Sequence, residues 1–244
     1  MIQVYPDMES LSHAAAELFL KAATEAFEAR GRFVVALSGG STPRRTYELL
    51  AQPPLVSRID WPAVHVFWSD ERCVPPEDSR SNERLARQAL IDHVPIPLGQ
   101  VHPFRCRGGA AKAALHYESL LIKFFGAEPP RFDLILLGLG RNAHTASLFP
   151  HTPALADSGR WTASVSLAEE GVDRVTFSPT LINHARSVVF LVAGADKAAV
   201  LAEVLEGPLE PDRLPAQLIR PEGITHWLVD REAAGLLQRK GDSQ

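Results

Sequence analysis

Apolar residues follow two different repeats along the first part of the chain. Over residues 8–30 they recur at spacings of three and four, the repeat of an amphipathic helix, and Gly31 follows in the place of a C-cap. Residues 33–37 are all apolar, a run that suits a short strand buried on both faces. This part of the chain is therefore predicted to form a helix and then a buried strand.

A glycine loop and a second helix are predicted next. Thr42 suits an N-cap and Pro43 suits the first helical position, so a helix is expected from there to about residue 51. The order of strand, loop and helix recurs along the chain. Further strands are predicted over residues 64–68, 132–137 and 187–192, further helices over 81–91 and 197–206, and weaker strand patterns cover 161–166, 172–177 and 225–229.

The alternation of apolar strands with helices predicts an α/β fold with a mostly parallel sheet, covered by helices on both faces and joined by right-handed crossovers. Ligands bind outside the carboxyl ends of the strands in such sheets. Because the segments richest in Gly, Ser, Asp, Arg and His all follow strands, we expect them to converge on one site. No linker divides the chain, so we expect one domain over residues 1–244, with a frayed tail at about 239–244.

Composition narrows the class of protein. The chain has 244 residues, of which 45% are hydrophobic and 22% charged, as in ordinary globular proteins. Its 25 Lys and Arg against 29 Asp and Glu leave a net charge of -4, so we expect no general affinity for nucleic acid or membranes. Only Cys73 and Cys106 are present, which favours a reducing compartment. The first ten residues resemble no signal peptide and no apolar stretch reaches membrane-spanning length, so we expect a cytoplasmic protein.

Two segments suit phosphate binding. The first is the loop of Ser38, Gly39, Gly40 and Ser41, where backbone N–H groups unobstructed by Cβ atoms can point at an anion beside a helix N-terminus. It matches neither the dinucleotide-binding nor the Walker A spacing, and a tight strand-to-helix turn is the alternative interpretation.

The second segment, Asp70-Glu71-Arg72, closes a predicted strand, and Arg72 can supply a bidentate contact to phosphate. A solvated charged loop is the alternative. Lys197, at the start of a predicted helix, can reach back as a second cation, although lysines at helix starts are commonly just solvated.

His144 is the candidate general base. It follows Asn142 at the end of a predicted strand, and an imidazole with an ordinary pKa of about 6.5 suits proton transfer at neutral pH. Of the other eight histidines, His151 is the next candidate because it lies close by. No His or Cys pair has zinc-binding spacing, so we expect no metal. Neither Ser38 nor Ser147 lies in a G-x-S-x-G motif, which weakens a serine-hydrolase interpretation.

Taken together, the motifs resemble those of the 6-phosphogluconolactonase family, in the family's order and over nearly the whole chain. The matching segments are A-L-S-G-G-S-T-P (36–43), W-S-D-E-R-C-V-P (68–75) with Ser81-Asn82, G-L-G (138–140) through H-T-A-S-L-F-P (144–150), V-A-G-A-D-K-A (192–198) and L-P-A (214–216). The resemblance implies a one-domain, modified Rossmann-like fold. It also implies hydrolysis of 6-phospho-D-glucono-1,5-lactone to 6-phosphogluconate without a metal or organic cofactor.

The resemblance also implies roles for individual residues. His144 would activate water, Asp70 would lie beside the sugar or orient the arginine, and the phosphate would be held by Ser38, Gly39, Gly40, Ser41, Arg72 and Lys197. One departure matters, because the family commonly has Asp-Gly where this chain has Asn142-Ala143. An amide can accept a hydrogen bond from imidazole but does not stabilise imidazolium by charge, so a weaker base is expected.

Two other functions remain open on the sequence. One is a sugar-phosphate deaminase or isomerase of the same fold, for which Asp70 is the obvious carboxylate base. The other is a non-catalytic sugar-phosphate sensor, which remains open because Asn142 replaces the aspartate that the family commonly has before the histidine. In each case the expected partner is a small sugar phosphate, with no nucleic acid and no membrane, and we expect a monomer or a weak homo-oligomer.

Overall fold

The computed structural model describes residues 1–156, 158–167 and 171–238, and this part of the chain contains nine strands and six α-helices. In chain order they are β1 (Ile2–Tyr5), α1 (Met8–Arg30), β2 (Phe33–Leu37), α2 (Ser41–Leu50), β3 (Val64–Trp68), β4 (Asp70–Arg72), α3 (Asn82–Ala89), α4 (Ala110–Phe125), β5 (Leu134–Leu137), β6 (Thr162–Val165), β7 (Arg174–Phe177), α5 (Pro179–Asn183), β8 (Ser187–Val192), α6 (Ala198–Glu206) and β9 (Ile224–Asp230). The tail expected to fray, residues 239–244, lies outside the described residues.

Six strands form a wholly parallel sheet in the order β1-β9-β8-β5-β2-β3. Every residue of β2 and β5 is buried, as is all of β8 except its first residue. Helices pack against these strands. Because the central strands of the sheet are covered in this way, they consist of short, continuously apolar runs. The predicted α/β class, with a mostly parallel sheet flanked by helices, is confirmed.

A second, smaller sheet was not predicted. The strands β4, β7 and β6 pair antiparallel, and Arg72 lies opposite Arg174 in the register. Ser69 joins the two sheets, because its N–H donates to the Leu37 carbonyl at 2.9 Å and its own carbonyl accepts from the Phe177 N–H at 2.8 Å. The charged segment 70–72 is therefore a fixed strand, and the interpretation of it as a solvated loop is wrong.

Most predicted elements are present with shifted ends. Helix α1 has the predicted bounds and ends at Gly31, whose φ of 68° is left-handed. Helix α2 begins at Ser41 with Gly40 at the N-cap position, so the prediction of Thr42 as the cap is wrong. Ser81 caps α3, where its Oγ accepts a hydrogen bond from the Arg84 N–H at 3.1 Å.

Cys73 and Cys106 form a disulfide, with their Cα atoms 5.3 Å apart. The pairing joins the residue after β4 to the loop before α4. The small number of cysteines therefore no longer supports a reducing compartment, because both cysteines are used in a bond that such a compartment disfavours. Within the described ranges, no helix is long and apolar enough to cross a bilayer.

Candidate active site

A cleft of about 770 Å³ opens where the central strands of the large sheet end, and the small sheet contributes part of its wall. The loops that follow β2, β5 and β8 all reach it, as ligand sites in open α/β sheets do. All nine residues proposed from the sequence line this one cleft. They are Ser38, Gly39, Gly40, Ser41, Asp70, Arg72, Asn142, His144 and Lys197.

The glycine loop is held from beneath by a buried tyrosine. The Tyr47 hydroxyl donates to the Ser38 carbonyl at 2.8 Å and accepts from the Ser38 N–H at 3.0 Å. Burial raises the pKa of Tyr47, so the hydroxyl stays protonated. Gly40 has a φ of 112°, a value that a side chain opposes, and it leads directly into α2. The loop thus places its backbone at the positive end of a ten-residue helix.

Asp70 and Arg72 lie on the wall formed by β4. The buried Asp70 carboxylate accepts hydrogen bonds from the Ser147 hydroxyl at 2.6 Å and the Asn82 amide at 3.2 Å. The Arg72 guanidinium donates from Nη1 to the Arg80 carbonyl at 2.8 Å and to the Asn82 side-chain oxygen at 3.2 Å. No ion pair among the described residues joins Asp70 to Arg72, so the link between them runs through Asn82.

His144 is oriented by two neighbours. Its Nδ1 lies 2.5 Å from the Asn142 Oδ1, and its ring stacks on Phe149 with centroids 4.3 Å apart. An acceptor at Nδ1 requires the proton on that nitrogen and leaves Nε2 as the basic one. A Cβ at Gly140 would lie 2.0 Å from the same Nδ1, so only glycine fits there.

The backbone before His144 is left-handed, since Ala143 has a φ of 62°. Glycine, which the family commonly has at this position, adopts such a φ without a Cβ clash. Alanine in this region costs about 1 kcal/mol relative to glycine. The Asn142-Ala143 departure therefore adds local strain next to the proposed base as well as removing a charge.

The loops after β5 and β8 are joined by ionic contacts. Asp196 accepts from the Arg141 Nε at 2.8 Å and lies 3.6 Å from the Lys197 Nζ. The hydrogen bond from Arg141 lowers the pKa of Asp196 below its usual value. Lys197 lines the cleft, and the Asp196 carboxylate beside it attracts its ammonium group.

Arg174 also lines the cleft and was missed by the sequence analysis. It is buried on β7, and its guanidinium lies 5.1 Å from the centre of the Phe149 ring that stacks on His144. An arginine in the otherwise uncharged strand sequence R-V-T-F was the available signal. His151 does not line the cleft; its Nδ1 lies 2.6 Å from an oxygen of Asp212 on the surface.

The chain is similar in sequence to proteins of one known family. The sequence model of one family, glucosamine-6-phosphate isomerases/6-phosphogluconolactonase, matches residues 6–227. The chain is 46% identical over 214 residues to a 6-phosphogluconolactonase of Synechocystis sp., covering 86% of this chain and 87% of that protein. It is 40% identical over 240 residues to one of Nostoc sp., with 97% and 98% covered.

Solved structures agree on the fold. The 6-phosphogluconolactonase of Trypanosoma brucei superposes with a TM-score of 0.87 at 31% identity, covering 98% of each chain. A monomeric glucosamine-6-phosphate deaminase superposes with a TM-score of 0.79 over 96% of this chain and 99% of its own. At 22% identity, the deaminase shares the fold alone.

Proposed function

The chain belongs to the glucosamine-6-phosphate isomerase/6-phosphogluconolactonase family, and on this basis we propose that it hydrolyses 6-phospho-D-glucono-1,5-lactone to 6-phosphogluconate with His144 as the general base. The hydrolysis rests on relatives named 6-phosphogluconolactonase that match the chain over almost its whole length. The observation that carries the role of His144 is its 2.5 Å contact with Asn142, inside the cleft that also contains the glycine loop.

Lactone hydrolysis needs a base that accepts a proton from the attacking water molecule. The Nε2 of His144 accepts one proton of a water molecule while the water oxygen bonds to the lactone carbonyl carbon. The carbonyl electron pair moves onto its oxygen and gives a tetrahedral oxyanion. When the carbonyl re-forms, the bond from that carbon to the ring oxygen breaks, and the imidazolium returns its proton to the ring oxygen. The carboxylic acid of the open product then ionises.

The phosphate fixes the carbonyl relative to the base. Backbone groups of Ser38, Gly39, Gly40 and Ser41 lie at the start of α2, and the charges of Arg72 and Lys197 line the same cleft. Binding of the remote phosphate holds the substrate so that the reacting carbon is oriented toward the base. In this arrangement Asp70 lies beside the sugar, where its carboxylate is already held by Ser147.

The deciding experiment is a lactonase assay. Purified protein is mixed with freshly generated 6-phosphogluconolactone, and spontaneous hydrolysis is subtracted; the expected result is acceleration far above the spontaneous rate. Glucosamine 6-phosphate serves as the second substrate. Release of ammonia from it would favour the deaminase, and binding of the lactone without acceleration would favour a sensor.

We further propose that residues 1–244 act as one domain, located in the cytoplasm, as a monomer or a weak homo-oligomer that needs neither a metal nor an organic cofactor. The domain proposal is supported by a single cleft that collects residues from 38 to 197. The location is supported by the substrate alone, because a charged sugar phosphate stays in the compartment where it is made, whereas the Cys73–Cys106 disulfide does not favour a reducing compartment. Sedimentation of the purified protein tests the oligomeric state.

A further inference from the structure

Asn82 lies between the glycine loop and the strand that carries Asp70 and Arg72. It is the first residue of α3, its side chain lines the cleft, and only 2% of its surface is exposed. A polar amide buried to this degree needs partners for both its donor and its acceptor.

The Asn82 amide is hydrogen-bonded to both charged residues of β4. Its Nδ2 donates to the Asp70 carbonyl at 2.9 Å and to the Asp70 carboxylate at 3.2 Å. Its Oδ1 accepts from Nη1 of Arg72 at 3.2 Å. One side chain therefore orients a carboxylate through its donor and a guanidinium through its acceptor.

The same amide is in close contact with the glycine loop. A Cβ built on Gly39 would lie 1.9 Å from the Asn82 Oδ1 and 2.6 Å from its Cγ. The φ of Gly39 is not in the left-handed region, so the backbone conformation does not require glycine there. Glycine is needed at position 39 because the loop backbone lies directly against the amide.

Asn82 is itself held rigidly by Glu71. The buried Glu71 carboxylate accepts from the N–H groups of Arg72 at 2.7 Å, Asn82 at 2.8 Å and Glu83 at 2.7 Å. It also accepts from the Ser81 hydroxyl at 3.0 Å. The start of α3 is thereby fixed to β4, and the amide has little freedom to move away from the loop.

We propose that Asn82 is a positioning residue for phosphate recognition, whose amide sets the separation between the backbone of the glycine loop and the guanidinium of Arg72. The inference rests on the proposed function, since it assigns the phosphate to that loop. An amide is required because it donates and accepts at once. Aspartate would keep the shape but lose the donor and add a negative charge beside Asp70, and alanine would lose both contacts.

The first test compares Asn82→Asp and Asn82→Ala with the wild type. For the phosphorylated lactone we expect KM to rise about tenfold or more, with kcat changed by less than about threefold. The preference for the phosphorylated lactone over unphosphorylated glucono-1,5-lactone, measured as the ratio of kcat/KM, should fall by the same factor. Asn183→Ala is the matched control, because it removes an amide that donates to the Leu218 carbonyl and accepts from the Arg220 N–H outside the cleft, and it should lower Tm without changing KM.

The second test uses the contact with Gly39. Gly39→Ala should raise KM strongly in the wild type and add little in the Asn82→Ala background, because the atoms that obstruct the new Cβ are then absent. Equal effects of Gly39→Ala in the two backgrounds would show that Asn82 does not set the position of the loop, and would overturn the inference.

Binding of 6-phosphogluconate, measured by calorimetry, separates this inference from the proposed function. A Kd that rises in the Asn82 variants supports the positioning role even if the wild type hydrolyses no lactone. If the wild type is an active lactonase but KM and Kd are unchanged in both folded Asn82 variants, the inference is wrong and the proposed function stands.

Discussion

The ring of His144 is held between an amide and an aromatic side chain. Asn142 contacts its Nδ1, and Phe149 stacks on its face. Both contacts restrict the ring to one orientation, and with the proton on Nδ1 the basic nitrogen is Nε2.

Removing the imidazole should remove the base. General bases contribute about 10²–10⁴ in rate, so His144→Ala should lower kcat by that factor while KM for the phosphorylated lactone changes little. Steady-state kinetics measures both. His151→Asn is the control, because His151 pairs with Asp212 outside the cleft, and it should retain full activity. Loss of activity in the control with retention in His144→Ala would transfer the role to His151.

Asn142→Asp should raise the pKa of the ascending limb of kcat/KM. A carboxylate at 2.5 Å from Nδ1 favours imidazolium, and His144 must be neutral to accept a proton. At a pH well above that limb the Asp variant should be faster than the wild type, because its imidazole is the stronger base. A pH profile of each form measures the shift. A limb at the same pH in both would mean that the contact with Asn142 has no part in the reaction.

Arg72→Ala should weaken recognition of the phosphate. Loss of a charged contact from such a site costs about 2–5 kcal/mol, which is about a 30-fold or greater rise in KM. The ratio of kcat/KM for phosphorylated and unphosphorylated lactone should fall accordingly. Arg44→Ala removes an exposed arginine that pairs with Glu48 on α2, and it serves as the control. An unchanged KM in Arg72→Ala would remove Arg72 from the site.

Roles that a strand end or a tight loop indicates were predictable, whereas the supporting roles of Tyr47 and Asn82 were not, although Asn82 stands in a segment that resembles the family. His144 and the glycines were identified from neighbours in the sequence that signal a strand end or a tight loop. Tyr47 and Asn82 act through side chains that meet Ser38 and Gly39 only after folding, and a tyrosine or asparagine within a helix has no local pattern that indicates such a contact. The roles of these two residues can therefore be recognised only in the folded structure.

The loop from β2 to α2 depends on the helix that follows it. Tyr47→Phe would leave the buried N–H and carbonyl of Ser38 without their side-chain partner, at a cost of about 1–3 kcal/mol. We expect Tm to fall by about 3–10 °C in a thermal melt. Tyr5→Phe, on the partly exposed edge strand, is the control and should leave Tm nearly unchanged. An equal Tm in the two variants would mean that the hydroxyl adds nothing to the loop.

Elements with a strong apolar signal were predicted, and those defined by a partner were not. Strands β2 and β8 were found with correct bounds, because burial on both faces requires an unbroken apolar run. Strand β4 has only the charged sequence Asp-Glu-Arg, and it is a strand because β7 pairs with it. Strand β1 has a mostly exposed pattern and depends in the same way on β9.

The stability of the folded protein should depend on pH through the neighbouring side chains of His65 and His102. Burial, together with the neighbouring His65, lowers the pKa of His102 from 6.5 to about 4. Between those values the unfolded chain binds the proton more readily than the folded one, so stability is lost as the pH falls through this window. Because His102 is only half-buried, we expect the loss to be about 1–2 kcal/mol.

His102→Gln should make the melting temperature less dependent on pH. The fall in Tm between neutral and acidic buffer should be smaller in this variant than in the wild type by about 2–8 °C. Differential scanning calorimetry across the window measures the two slopes. His116→Gln, at an exposed position on α4, is the control and should keep the wild-type slope. Identical slopes in all three proteins would exclude His102 as the cause.

The pairing of β1 with β9 has a consequence for synthesis of the protein. The amino group of Met1 donates to the carbonyl of Thr225, 224 positions later in the chain. On the ribosome, β1 therefore has to wait for β9, while β2, β3 and β5 can pair as soon as they emerge. The nascent chain passes through a stage with an open sheet edge beside β8, and that edge closes only after β9 has been made.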